Sequence, residues 1–251
     1  MGFKNALDSH AHSKKILDLI HGYDSFLDSL SVIADFGCGY GEDVRWWATL
    51  MTRDDPPEPR DYLVYAIDQN TSSIDEDTLA LPNVKVIQAD FENDNVIPRK
   101  CDLLWSHDSF QYAVKPIETL KQWNLQMSEN GMLVMSLPQN VHYQYNRWQN
   151  HSHSGVYYNY NIVNLIYMLA VNGFDCRDAY FYRDAVDPWL YAAVYKTNIS
   201  PMNPKTTSWH DLVDLNLVND SVTESINRYG FVKQEDLVTV WLDKDFHFIR
   251  E

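Results

Sequence analysis

Cysteines, basic clusters and long apolar runs are all scarce in this sequence, and each scarcity removes a class of function. Only three cysteines occur in 251 residues, Cys38, Cys101 and Cys176. Their number is odd, their spacing wide and their surroundings apolar or strand-like. That excludes a disulfide framework and a cysteine zinc site, and reads as three buried thiols in a reducing compartment. No apolar run approaches the roughly 18 residues of a membrane span. The opening MGFKNALDSHAHSKK puts polar and charged residues where a secretory signal needs an apolar centre. Ala6 stands where a myristoylation signal has Ser or Thr. We therefore expect a cytoplasmic protein with no membrane partner. Lys and Arg number 20 against 35 Asp and Glu, a formal charge of −15, and no basic cluster exceeds Lys14-Lys15 or Arg99-Lys100. Such a surface repels phosphate backbones, which argues against nucleic acid and for a small-molecule substrate.

Glycine is scarce too, yet three of the nine glycines fall at alternate positions in VIADFGCGYGED, residues 32–43. A glycine has no Cβ, so it adopts positive φ freely and lets a ligand approach the main chain. The stretch before these glycines is an apolar run, and others follow: 63–67 ending in Asp68, 84–89 ending in Asp90-Phe91, 102–105 ending in Ser106-His107-Asp108, and 132–136 after an Asn130-Gly131 turn. Between them lie helical periodicities at 43–50, 71–81 and 116–127, the last opening on Pro116. A helical segment at 16–30, interrupted near Gly22, precedes the first strand. A helix at 162–171, stopped by Asn172-Gly173, separates later strands at 174–182 and 189–195. Strands alternating with helices predict an α/β fold with a mostly parallel sheet and helices on both faces. Residues 139–160 keep neither period and read as a lid. Residues 198–208 read as a linker, so we expect a main domain over 1–197 and an extension packed on it over 198–251.

In an open parallel sheet, ligands sit beyond the carboxyl ends of the strands, where the strand order reverses. That places Asp35, Gly37, Gly39, Gly41, Asp68, Asp90 and Ser106-His107-Asp108 around one pocket. Glu42 stands where the G-x-G-x-x-G dinucleotide fingerprint needs its last glycine, so that fingerprint fails. The acid-x-Gly-x-Gly-x-Gly loop, with acids ending the second and third strands, resembles the class I S-adenosylmethionine-dependent methyltransferases over about residues 10–195. The resemblance implies the Rossmann-like class I methyltransferase fold, a seven-stranded sheet with an antiparallel final strand. It implies S-adenosyl-L-methionine as cofactor, with the main chain of Gly37, Cys38, Gly39 and Gly41 along its methionine part and Asp35 near the ammonium. Asp68, followed by Gln69, would take the ribose hydroxyls, and Asp90 the adenine amino group. Phe91 would give an apolar edge, and Ser106 would line the path to the methyl group.

Methyl transfer from a sulfonium asks mainly for positioning and desolvation. A base helps when the acceptor starts protonated, and His107 has the right ordinary pKa, with Asp108 orienting the imidazole or the substrate. The lid offers His142, Tyr143, Trp148 and Tyr158 to an acceptor, and its aromatic faces suit a cationic or aromatic one. His151-x-His153 has no third ligand at a recognisable interval, so no metal is expected. A protein or RNA methyltransferase and a non-catalytic binder of the same fold are the alternatives, and a monomer and a homodimer fit equally well.

Overall fold

The structure is a computed structural model and describes residues 23–52, 54, 56–138, 158, 160–183, 189–233, 241–242 and 248–249. The apolar runs form the strands β1 (Val32–Phe36), β2 (Leu63–Asp68), β3 (Val84–Gln88), β4 (Cys101–His107), β5 (Met127–Pro138), β6 (Phe174–Arg183) and β7 (Trp189–Lys196). They lie in the order β3-β2-β1-β4-β5-β7-β6. The first five are parallel, while β7 runs antiparallel to both its neighbours. This is the seven-stranded frame expected from the sequence. Two further two-residue strands, β8 (Trp241–Leu242) and β9 (Phe248–Ile249), extend it beyond β6. The chain moves outward from β1 through β2 to β3 and then returns to place β4 on the other side of β1. The strand order therefore reverses between β1 and β4, and the crevice for a ligand opens there.

The two faces of the sheet are read directly from side-chain alternation. Ala34, Phe36, Tyr65, Leu104, Leu133 and Met135 belong to one buried cluster, and Ile33, Val64, Ala66, Leu103, Trp105, Met132 and Val134 to the other. The second face is covered by α1 (Tyr23–Ser29) and α2 (Glu42–Ala48), through Leu27, Leu30, Val44 and Trp47. After the short α3 (Glu76–Leu79), the first face is covered by α4 (Pro116–Gln126) and α5 (Ile162–Val171), through Leu120, Trp123, Leu165 and Leu169. No helix among the described residues is long and apolar enough to cross a membrane.

Two local expectations change. The helix predicted over 71–81 is a 3₁₀ turn (Thr71–Ser73) followed by α3, because the Asp75 carboxylate accepts from the Thr78 amide at 2.9 Å and its hydroxyl at 2.7 Å and starts a new helix. The Asn130-Gly131 turn lies inside a strand that already begins at Met127. Cys101 pairs with Met127 but Leu103 with Met132, so the turn is a bulge, with Asn130 at φ 59°. Beyond residue 197 the chain joins the main core. Leu212 in α6 (Trp209–Asp214) and Val222 in α7 (Ser221–Tyr229) are buried with Leu217 and Val218. The Tyr167 hydroxyl reaches the carbonyls of Pro204 and Thr207 at 3.0 and 2.7 Å, so residues 198–208 are packed rather than loose.

Candidate functional site

The loop after β1 is closed on itself. Gly37 and Cys38 both donate their amides to the Ile67 carbonyl at the end of β2, at 2.8 and 3.0 Å. The Gly41 amide donates to the Cys38 carbonyl at 2.9 Å, and the Gly39 amide to Asp68 Oδ2 at 3.0 Å. All three glycines have positive φ, but they are glycines for different reasons. At Gly37 a Cβ would stand 2.3 Å from Ser109 Cβ, so a protein side chain rather than a ligand occupies that space. At Gly41, the N-cap of α2, a Cβ would meet Ile74 at 3.0 Å. Only Gly39 has nothing within 4 Å, and there the main chain is open to an incoming molecule.

A cavity of about 470 Å³ lies beside that opening. It gathers seven residues expected from the sequence: Gly37, Gly39, Asp68, Gln69, Asp90, Phe91 and Asp108. Four more were not anticipated: Glu92, Ser109, Tyr112 and Val114. Asp68 accepts from Gly39 N through one oxygen and from Asn70 N (2.9 Å) through the other; a carboxylate has about four acceptor sites, so both oxygens can take more. Asp90 accepts from the Glu92 amide at 2.9 Å, the turn role open to any strand-terminal Asp, while also facing the cavity. Glu92 fixes the opposite wall. Its oxygens accept from the amides of Val114 (2.8 Å) and Lys115 (3.0 Å) and from the Thr119 hydroxyl (3.0 Å), which ties the segment before α4 to the end of β3. Phe91 is held from below, its carbonyl accepting from Trp123 Nε1 at 3.0 Å and its ring edge-on to that indole.

The other expected residues sit elsewhere. Asp35, Cys38, Gly41, Ser106 and His107 do not line this cavity, and Asp35 and Ser106 are buried beneath it at the ends of β1 and β4. Burial, reinforced by Asp35 and Asp68, pushes the Cys38 thiol far above its ordinary pKa, so it carries no thiolate chemistry. His107 is 6% exposed and stacks on Trp105, with ring centroids 4.3 Å apart. The carboxylate beside its Nδ1 is Asp43, at 4.0 Å, and the same Asp43 oxygen accepts from Trp105 Nε1 at 2.7 Å. Asp108 turns to the cavity instead, its carboxylate accepting from Gln111 Nε2 at 2.5 Å. Of the lid residues, His142, Tyr143 and Trp148 lie outside the described residues, as does the His151-His153 pair. Tyr158 is 45% exposed and donates to the Val114 carbonyl at 3.1 Å. It lines a second cavity of about 380 Å³ that shares Val114 with the first. Among the described residues no cluster of His, Cys, Asp or Glu is arranged for a metal.

The donor set decides what kind of molecule fits. A phosphate-binding loop presents unused amides or cations to its ligand. Here the amides of Gly37, Cys38, Gly39 and Gly41 are committed internally, and among the described residues no Lys or Arg lines the cavity. The carboxylates of Asp68, Asp90 and Glu92 are satisfied by neutral donors. A ligand rich in hydroxyl and amino donors, with an exposed flat apolar part, matches these walls.

Residues 34–135 match the family model described as a methyltransferase domain. No curated protein sequence matches the chain. Among solved structures, the N-methyltransferase NodS from Bradyrhizobium japonicum is 12% identical with a TM-score of 0.53, over 78% of this chain and 99% of that one. The 1,6-didemethyltoxoflavin-N1-methyltransferase of Burkholderia thailandensis, solved with 1,6-didemethyltoxoflavin and S-adenosylhomocysteine, is 12% identical with a TM-score of 0.54, over 77% and 82%. A Haloferax volcanii protein in complex with the Trm112 methyltransferase activator is 14% identical with a TM-score of 0.53, over 77% and 97%. At these identities the likeness is one of fold.

Proposed function

We propose that the chain is a class I S-adenosylmethionine-dependent methyltransferase, which binds S-adenosylmethionine across the ends of β1, β2 and β3 and methylates a small-molecule acceptor in the cytoplasm. When bound, the cofactor supplies a methyl group on a sulfonium, already activated for in-line displacement. Asp68 takes the ribose hydroxyls on the acceptor sites its two amide partners leave free. Asp90 takes the adenine amino group, and Phe91 offers its ring and main chain to the purine. Gln69 flanks the nucleoside, and the main chain around Gly37, Cys38, Gly39 and Gly41 runs beside the methionine part, with Asp35 beneath it near the ammonium.

The acceptor's proton, where it has one, goes to His107. The imidazole is held flat by Trp105, and Asp43 beside Nδ1 favours a proton on that nitrogen, leaving Nε2 to accept. Asp108 orients the acceptor from the cavity wall, next to Ser106 at the end of β4. The lid residues His142, Tyr143, Trp148 and Tyr158 contact the acceptor. The observation that carries this reading is the cavity itself, which brings Gly39, Asp68, Asp90 and Phe91 together from the ends of three neighbouring strands. The net charge of −15, with no basic residue among the described cavity lining, favours a small, neutral or cationic acceptor over a polyanion.

Calorimetric titration with S-adenosylmethionine and S-adenosylhomocysteine tests the cofactor assignment, and a labelled-methyl screen finds the acceptor. Asp68→Ala should weaken cofactor binding at least tenfold, since hydrogen bonds to a charged group contribute about 1.5–3 kcal/mol. Affinity equal to the parent's would remove Asp68 from the site.

A further inference from the structure

We infer that Ser109 is a positioning residue for the cofactor loop, pinning the peptide plane that joins β1 to the first glycine; the inference rests on the functional reading above. Phe36 C=O and Gly37 N–H are the two edges of one planar peptide unit. On its amide edge this unit donates to Ile67 O of β2 at 2.8 Å, and on its carbonyl edge it accepts from Ser109 Oγ at 2.8 Å. One hydrogen bond comes from β2 and the other from the bend just after β4, so the plane cannot rotate without breaking one of them. Ser109 spends its only hydroxyl hydrogen on Phe36 O. The 2.6 Å contact between its Oγ and Ser106 Oγ must therefore be donated by Ser106, which fixes the direction of the whole relay.

The chain is bent to deliver this hydroxyl. Asp108 adopts φ 47°, a left-handed conformation that Asp tolerates, and its amide anchors the bend to Ser136 O of β5 at 3.1 Å. Ser109 then packs so closely on Gly37 that no Cβ fits between them. The pin acts on the end of the site assigned to the methionine part. The nucleoside end is assigned separately to Asp68 and Asp90, whereas the Ser109 hydroxyl bonds to Phe36 and Ser106.

The test compares two ligands on the full chain. S-adenosylmethionine spans both ends of the site, whereas 5′-methylthioadenosine has the nucleoside and lacks the amino acid. Ser109→Ala should weaken the first roughly threefold to tenfold, the range of one hydrogen bond, and change the second by less than about twofold. The Gly37 amide should also exchange with solvent faster in the variant without any ligand. Ser109→Cys keeps the volume and weakens the donor, so it should show the same pattern in smaller measure and serves if the alanine variant does not fold. Equal weakening of both ligands, or no change in either, overturns the inference. A parent protein that binds neither compound overturns the functional reading instead, and unchanged Gly37 exchange overturns the pin.

Discussion

Replacing Gly39 and Gly37 by alanine, one at a time, separates the two reasons a glycine can occupy this loop. Both have positive φ, 52° and 84°, and an alanine held there costs about 1–2 kcal/mol. At Gly39 that is the whole cost to folding, because nothing lies within 4 Å of the new methyl group. At Gly37 the methyl would sit 2.3 Å from Ser109 Cβ and 2.9 Å from its Oγ, far inside the ~3.5–4.0 Å of a carbon contact. Ser109 must move, which adds overpacking of about 1–3 kcal/mol and a lost hydrogen bond to Phe36 O of about 1 kcal/mol. Gly37→Ala should therefore destabilise by about 3–6 kcal/mol. For a chain of 251 residues this corresponds to a fall in Tm of roughly 6–24 °C, against roughly 2–8 °C for Gly39→Ala. Urea and thermal unfolding measure both, and titration with S-adenosylmethionine measures the second consequence. Gly39→Ala should stay folded yet lose most of its affinity, because its methyl group fills the open approach to the main chain there. In a Ser109→Gly background the steric part of the Gly37→Ala cost should vanish, leaving the conformational part alone. Equal stability of the two single variants would refute the Ser109 contact. Parent-like binding by Gly39→Ala would refute the idea that a ligand passes there.

The wall opposite the loop depends on Glu92. Glu92→Gln leaves one carbonyl to serve three donors, and should cost about 1–3 kcal/mol in urea unfolding while loosening the loop between Tyr112 and Lys115. Acid should weaken two helix caps. The Asp75 carboxyl is held below its ordinary range mainly by the Thr78 hydroxyl and amide, and Asp211 mainly by the Ser208 amide and hydroxyl. A depressed carboxyl stabilises the fold above its ordinary pKa near 4 and loses that contribution as pH falls through the lowered value. Amide protection at Thr78 should thus decline below about pH 4, whereas that of core amides such as Ala34 persists; a loss of both together would count against it.

The strands were legible because a parallel sheet covered on both faces writes each strand as an unbroken apolar run. The acids that follow three of those runs are the ones that reach the cavity. The helix over 162–171 was legible in its run and its stop at Asn172-Gly173, and the structure adds the Asn161 cap that starts it. The faces of β4 were not. CDLLWSH is buried along nearly its whole length, so no alternation says that His107 shares a face with Trp105 and turns toward Asp43. Nor could Ser109 be found, since its role depends on a left-handed bend at Asp108 that carries no glycine to mark it. Glu92, Tyr112 and Val114 come from irregular segments, where position follows from tertiary hydrogen bonds rather than from any period. The run at 71–81 misled because Asp75 suits an early helical turn and an N-cap equally well.

One carbonyl, that of Ile67, receives two successive amides from the neighbouring segment. Because Ile67 directly precedes Asp68, the backbone at residues 37–38 and the Asp68 carboxylate, proposed to face a ligand's tail and its sugar, ride on the same piece of sheet. The span between them is thus set in advance, like the gap of a fixed gauge, and cannot stretch to suit a visitor. A nucleoside whose side arm is one methylene too long or too short would meet an unyielding misfit rather than an adaptable loop.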